Sequence, residues 1–328
     1  MSYEGLPKSV DHLDVSSNEI EALASHSPLE NVRYVQVDRG SLQGRLRGYR
    51  LPSGFLWGSW SNVGGVGQAE IPRGCLLVGL VGAGAQRDSW HGRPIGAGDL
   101  VLGSRQSGLH HRAGLDHQVW VWLLPEALLE IEAEALGRDL RPFHEALVSS
   151  PQGGPAKSSL GVTLDHCLRI LQEPSWQGEE ERLRQVEAVL LGATVQRLSP
   201  TRGPISACDT SLKIAAAARD YLHEHVHGPI RMANLCGHVG VCERTLRYHF
   251  TRTYQCSPSQ YHLSIRLNRV RRNLIHAVPG PGAVGRAAAA AGFWHMGRFS
   301  QMYRSLFAET PSQTLRQGLA GLGVGRPG

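Results

Sequence analysis

The stretch Gly292–Pro311, GFWHMGRFSQMYRSLFAETP, decides how this chain folds. Phe299, Tyr303 and Phe307 recur every fourth residue and mark one face of a helix, while Arg298, Ser300 and Gln301 fall on another. Such a pattern arises in an enzyme core and equally in a helix that lies in a DNA groove. Upstream, IRMANLCGHVGVCERTLRYHFTRTYQCSPSQYH (from Ile230) aligns with GAVGRAAAAAGFWHMGRFSQMYRSLFAETPSQTL (from Gly282). Each copy has a short helix of small residues, then a turn glycine (Gly240, Gly292) followed by an apolar residue (Val241, Phe293). A second helix follows, with apolar residues at intervals of four (Leu246 and Phe250 in the first copy), and each copy closes on Pro-Ser-Gln. The shared spacing means two copies of one supersecondary unit.

The unit reads as a helix-turn-helix. The turn needs a residue that tolerates unusual dihedrals, which glycine does. Small residues in the first helix (Cys236, Gly237, Ala288, Ala289) let the second helix approach closely. The apolar rows fasten the second helix to its core and leave the opposite face free for a major groove, which admits an α-helix. That outward face carries Arg244, Arg247, Tyr248 and Thr251 in the first unit, and Gly297, Arg298, Ser300, Gln301 and Arg304 in the second. Arg pairs bidentately with guanine and Gln with adenine, each for roughly 1–3 kcal/mol of discrimination. The competing reading is an α-helical core domain with a solvated basic face, and the matched duplication weighs against it. Between the units, SPSQYHLSIRLNRVRRNLIHA reads as one long helix with Leu263, Leu267, Val270 and Leu274 inward. Arg266, Arg269, Arg271 and Arg272 surround it, suited to phosphate contacts or salt bridges. As a rigid connector it would set the reading helices about 34 Å apart, one turn of DNA.

Over residues 212 to 317 the sequence resembles the AraC/XylS family of bacterial transcription regulators, through LCGHVGVCERTLRYHF, SPSQYHLSIRLNRVRRNL and GFWHMGRFSQMYRSLFAETP. The resemblance places the family's base-facing positions on Arg244, Arg247 and Tyr248, and on Gly297, Arg298, Ser300 and Gln301. There are departures. Cys242 stands at the usual serine N-cap, at a cost of up to ~1 kcal/mol. Ala308 stands where glycine is common, and Thr314 replaces a frequent aromatic. VPGPGAVGRAAAAAG is short of large apolar residues, which implies a looser second unit.

The rest of the chain has another character. From Ile205 onward there are 15 Lys+Arg against 5 Asp+Glu, a net of +10, which leaves −4 for the remainder of a chain whose total is +6. Basic charge at one end points to a polyanion-binding domain joined to something else. A length of 328 residues suffices for two cores, and 41% hydrophobic with 19% charged residues is a globular composition. No apolar run approaches the ~18 residues that span a bilayer. MSYEGLPKSVDHLDVSSNEIEAL has acidic residues and no apolar stretch, unlike a secretory signal, so a cytoplasmic protein is expected. The six cysteines include no C-x-x-C pair.

Short apolar runs between Asn31 and Leu124 (RYVQV, CLLVGLVG, DLVLG, HQVWVWLL) alternate with Gly, Pro and Asp turns and favour a sandwich or small barrel. SWHGRPIGAGDLVLG reads there as strand, Gly92-centred turn and strand. Residues 125–198 turn helical, and the stripe Leu183, Val186, Leu190, Ala193 and Leu198 reads either as core or as a dimer seam. SPTRGPISACDTS is a linker composition.

The expected class is α+β and multidomain: an N-terminal cupin-like β-barrel with flanking helices, then an all-α domain with two helix-turn-helix units. The expected divisions are an N-terminal segment (1–30), a β-rich sensing domain (31–124), a helical region open to dimerisation (125–198), a linker (199–211), the DNA-binding domain (212–319) and a tail (320–328). The family resemblance implies a small-molecule effector bound by the cupin-like part, a homodimer, double-stranded promoter or operator DNA as partner and, for an activator, RNA polymerase. Membrane partners are not expected.

Trp57, Trp60, Trp90 and Trp120 could line an effector pocket or simply fill a barrel core. SGLHHRAGLDH gathers His110, His111, Asp116 and His117, and YLHEHVHG gathers His223, His225 and His227. Adjacent histidines on a strand face opposite ways, and i, i+2 positions on a helix diverge, so neither cluster reads as a metal site. No metal, cofactor or catalytic residue is therefore expected. Two rivals remain open at this stage. One is a cupin-type or repair enzyme with an appended DNA-binding domain, although no nucleophilic-cysteine motif is visible. The other is a DNA binder without sequence preference.

Overall fold

The computed structural model describes residues 12–84, 87–138, 147–149, 159–173, 180–198 and 210–322. Residues 199–209 of the expected linker, 1–11 of the N-terminal segment and 323–328 of the tail lie outside the described residues. The chain forms two compact units. One comprises the chain up to Tyr34, Gln43–Asn62 and Gly67–Asp209; the other comprises Val35–Leu42, Val63–Val66 and the chain from Thr210.

In chain order the first elements are β1 (His12–Ser17), α1 (Ile20–Ala24), β2 (Glu30–Gln36), β3 (Gly44–Arg50), β4 (Phe55–Ser61), β5 (Gly65–Glu70), β6 (Cys75–Val81) and β7 (Ser89–Trp90). There follow β8 (Arg93–Pro94), β9 (Leu100–Ser104), β10 (Leu109–Ala113), β11 (His117–Pro125), α2 (Glu126–Ala135), β12 (Leu147–Ser149), α3 (Ser159–Gln172) and α4 (Glu180–Arg197). The strands make a seven-stranded sheet, β1-β3-β4-β11-β6-β9-β12, and a five-stranded sheet, β2-β5-β10-β7-β8.

The apolar runs of β6 and β11 follow from burial on both faces. Leu76, Val78, Trp122 and Leu124 face helical residues Leu129, Leu164, Leu190 and Val195. Their neighbours Leu77, Val81, Val121 and Leu123 join Trp57, Ile71 and Trp90 in a second core on the other side. Successive strand residues point to opposite faces, so a strand covered twice has no polar alternate. The α4 stripe settles as core: Val186, Leu190 and Leu198 are buried, with Leu183 and Ala193 packed against them.

The sheet-rich front begins earlier than the sequence suggested. β1 lies in the expected N-terminal segment and pairs with β3. Its sequence, HLDVSS, has too few apolar residues to announce a strand. β12, paired with β9, likewise interrupts the region read as helical. The reading of SWHGRPIGAGDLVLG fits well: β7 and β8 form a hairpin whose turn residues His91 and Gly92 both have positive φ (49° and 76°).

The remaining helices are α5 (Thr210–Glu224), α6 (Met232–Val239), α7 (Glu243–Tyr254), α8 (Pro258–Ile275), α9 (Ala283–Ala290), α10 (Met296–Phe307) and α11 (Pro311–Leu322). Two cores divide them. Leu222, Leu235, Leu246, Phe250 and Tyr254 gather around Tyr261 and Ile265 of α8. Ala288, Phe293, Phe299, Tyr303 and Phe307 gather around Leu267, Val270 and Leu274 of the same helix. The long helix is therefore the shared spine of two small bundles. The α+β class, with a sheet-rich front and a helical end, is as expected.

Candidate nucleic-acid interface

The second helices of the two units superpose in sequence with an offset of 53 residues. Leu246, Phe250 and Tyr254 correspond to Phe299, Tyr303 and Phe307, and all six are essentially inaccessible. The same offset carries Arg244, Arg247, Tyr248 and Thr251 onto Gly297, Ser300, Gln301 and Arg304. Both sets have the i, i+3, i+4, i+7 spacing of one helical stripe. Arg244, Arg247, Tyr248, Thr251, Gly297, Arg298, Gln301 and Arg304 are all exposed, and Ser300 is partly so. The second helix of each unit thus has one sealed face and one open polar face. Arg247 folds back on its own helix, donating from Nε to Glu243 Oε1 at 2.8 Å.

The helix ends repeat as well. Gln255 and Ala308, again 53 apart, close α7 and α10 in the left-handed region, with φ of 56° and 57°. The Pro-Ser-Gln triplets are explained by capping. The Ser257 side chain accepts from Gln260 N (3.2 Å) while Gln260 Oε1 accepts from Ser257 N (3.0 Å). Thr310 and Gln313 make the same reciprocal pair at 3.3 and 2.7 Å. The box therefore spans Ser/Thr-Pro-Ser-Gln, one residue more than the triplet. Cys242 has the extended N-cap backbone but makes no capping bond to the helix, its Sγ meeting Thr245 Oγ1 at 3.2 Å instead.

The turns differ in detail. Gly240 (φ 75°) is followed by two residues before α7, whereas Ala291–His295 connect α9 to α10. Around Gly292 the backbone of another loop presses in: a Cβ there would stand 2.5 Å from the His227 carbonyl oxygen. Around Gly237 there is nothing within 4 Å, so close helix packing does not require its small size, contrary to the reading from sequence.

Two of the arginines on α8 are structural and not free for phosphate. Arg266 is buried; its Nε donates to the Ala291 carbonyl at 2.8 Å and its Nη2 to that of Gly292 at 2.7 Å. Its guanidinium lies 4.2 Å above the Phe293 ring. It thereby clamps the second turn. Arg271 pairs with Glu309, whose carboxylate also accepts from Thr314 Oγ1 at 2.6 Å. Thr314 in turn meets the Tyr303 hydroxyl at 2.8 Å. A polar network thus takes the place of the aromatic that the family resemblance implied at Thr314. In the first unit, buried Arg219 donates to the Tyr254 hydroxyl at 3.1 Å, and burial pushes that phenol up to about 12.

In the sheet-rich unit the four tryptophans are not brought together. Trp57 and Trp90 lie in the core between the sheets, Trp120 packs toward the helices, and Trp60 is exposed. Trp90 Nε1 donates to the Leu102 carbonyl at 3.1 Å, a core contact. His223, His225 and His227 go to separate partners: the Tyr261 hydroxyl, the Tyr221 ring and carbonyl, and Arg269. The other cluster behaves differently from expectation. His110 packs beside His91 (5.3 Å between ring centroids), but His111 packs against His117 at 4.6 Å. The acid that joins them is Asp88, which precedes β7, and not Asp116. Neighbours on one strand do diverge; the convergence comes from across the sheets, where sequence spacing gives no signal.

Two short helices joined by a glycine turn, duplicated around a common spine and each with an open polar face, define a double helix-turn-helix DNA-binding protein. A helix-turn-helix domain family matches residues 235–317. A probable thc operon regulatory protein of Rhodococcus erythropolis is 34% identical over 261 residues, covering 70% of this chain and 76% of its own. The XylDLEGF operon transcriptional activator of Pseudomonas putida is 30% identical over 97 residues, 30% of each chain. Among solved structures, an AraC-type transcriptional regulator from Chromobacterium violaceum is 28% identical, with a TM-score of 0.31, over 33% of this chain and 94% of its own. This chain belongs to the AraC/XylS family of DNA-binding transcriptional regulators. No helix among the described residues is long and apolar enough to cross a membrane.

Proposed function

We propose that this regulator is a ligand-responsive homodimer that reads two adjacent major-groove segments per subunit with α7 and α10. The observation that carries the reading is the matched pair of exposed stripes, 53 residues apart, opposite two sealed aromatic faces. Arg244, Arg247, Tyr248 and Thr251 contact DNA from one helix, and Gly297, Arg298, Ser300, Gln301 and Arg304 from the other. Glycine at 297 lets the second helix approach the backbone closely, while Gln301 suits adenine and the arginines suit guanine. The Arg247–Glu243 pair is exposed on both sides, so releasing Arg247 to a base costs little. The sheet-rich unit is the seat of a small-molecule effector and has no catalytic role. The protein works in the cytoplasm, on promoter or operator DNA, and meets RNA polymerase where it activates.

The test is selection of bound duplexes from a random pool by the full-length protein at near-physiological salt. Two half-sites about one or two helical turns apart are expected. Arg247→Ala is then expected to lose about 1–3 kcal/mol on the selected site and to relax preference at one base pair. Salt-sensitive binding without any recovered motif would replace this reading with a non-specific binder.

A further inference from the structure

Asp88, His111 and His117 come from three separate elements of the sheet-rich unit. Asp88 leads into β7, His111 lies on β10 in the five-stranded sheet, and His117 opens β11 in the seven-stranded sheet. One ligand atom from each lies within 4.8 Å of the others, and no other such trio occurs among the described residues. All three are withdrawn from water: the side chains of Asp88, His117 and His111 are 0%, 5% and 12% exposed.

We infer that these three side chains form a binding site for one divalent transition-metal ion of the zinc class, tying the two sheets together. Two imidazoles and a carboxylate are a donor set that such ions favour over Mg2+ or Ca2+. An ion held at ~2.0–2.2 Å by each needs its donors roughly 3–4 Å apart. His111 Nε2 already stands 3.9 Å from Asp88 Oδ2, too far for a good hydrogen bond and suitable for sharing an ion. His117 Nδ1 stands closer, 2.5 Å from the same oxygen. Metal entry opens this pair by roughly 0.5–1.5 Å, to the spacing of two ligands on one ion.

The second shell is in place. The Gly114 amide donates to Asp88 Oδ1 at 2.6 Å, fixing the carboxylate and leaving Oδ2 for the ion. The Asp88 carbonyl accepts from Ile95 N at 3.0 Å, which pins the backbone. Arg112, the next residue after His111, is buried, and its guanidinium donates to the Ala113 carbonyl.

The experiment takes the full-length protein, stripped with a chelator and dialysed, and titrates Zn2+ against a chromophoric competitor and Co2+ by its visible absorption. One ion per chain is expected, with Co2+ bands of a nitrogen and oxygen site. Asp88→Asn and His111→Gln are expected to weaken Zn2+ by on the order of 100-fold, while the triple change of His223, His225 and His227 to Gln leaves it unchanged. Should either single variant misfold, the wild-type chain answers alone. Oxidation by Cu2+ and ascorbate marks the ligands of the bound ion, and peptide mapping is expected to find 2-oxo-histidine at His111 and His117. No stoichiometric Zn2+, loss of Zn2+ in the triple variant, or oxidation confined to other histidines would overturn the assignment.

Discussion

Gly240 and Gly292 occupy equivalent turns with nearly the same φ, 75° and 74°, yet alanine is expected to have very different effects at the two. Placing a Cβ in the left-handed region costs about 1–2 kcal/mol at either position. At Gly240 nothing else is added, because no atom lies within 4 Å of the new methyl. At Gly292 the methyl meets the His227 carbonyl oxygen at 2.5 Å and the Gly228 Cα at 2.7 Å. Both are backbone atoms that cannot rotate away. Arg266 Nη2, at 3.2 Å, is held in place by its bond to the Gly292 carbonyl. Overpacking of this kind adds about 1–3 kcal/mol, so Gly292→Ala should lose about 3 kcal/mol and Gly240→Ala nearer 1. Native-state hydrogen exchange on the full-length protein reads the two units separately through peptides of α6–α7 and α9–α10. In the second unit the expected acceleration is roughly 100-fold, against several-fold in the first. Equal acceleration in the two variants would refute the argument that the neighbouring loop, and not the dihedral alone, fixes Gly292.

Three further outcomes are expected. Ala308→Gly should raise the stability of α10 by about 1 kcal/mol, since Ala308 ends that helix at φ 57°; chemical denaturation followed by exchange of the α10 amides measures it. Cys242→Ser should add up to ~1 kcal/mol to α7, whose N-cap backbone is extended but unbonded, read by the same exchange experiment on that helix. His91 gives a pH dependence: burial pulls its imidazole from the usual 6.5 to about 4. Below pH 6.5 the unfolded chain takes up a proton that the folded chain refuses, so stability falls as pH drops from about 6.5 toward 4, by at most ~3 kcal/mol, and is complete above that window. The melting temperature of wild type should therefore drop more between pH 7.5 and 5 than that of His91→Gln.

What the sequence made legible was local or periodic. The reading helices appear as a four-residue apolar row, because a helix that packs on one side must repeat its apolar residues at that interval. β6 and β11 appear as unbroken apolar runs, because both of their faces are covered. β1 was hidden since an edge strand exposed on one side, HLDVSS, carries few apolar residues. The Asp88–His111–His117 trio was hidden for a different reason. Its members lie on three elements whose meeting depends on sheet register, and no spacing rule on one strand can report that. The capping boxes are written in full in the sequence, but the serine and threonine that begin them stand one residue before the repeated Pro-Ser-Gln, outside the repeat itself.

The alanine-rich first helix of the second unit suggested a loose bundle, and the packing argues otherwise. Ala287 and Ala288 are buried, as is Ala291 just beyond the helix, and their small side chains let α9 lie close to α8 and α10. Large side chains arrive from the other partners: Phe293, Phe299, Tyr303 and Phe307 pack in a row of tilted rings, with successive centroids 5.1, 5.7 and 4.7 Å apart. Arg266 then ties the turn to the spine from one side, and the Arg271–Glu309–Thr314–Tyr303 network ties the end of α10 from the other. Breaking one member of a buried network leaves the rest unsatisfied, so these contacts specify one position for α10 as well as stabilising it. On the proposed function, α10 must present its stripe at a fixed depth in the groove, and an anchor at both ends meets that requirement. Small residues beneath α10 are therefore compatible with a second unit as rigid as the first.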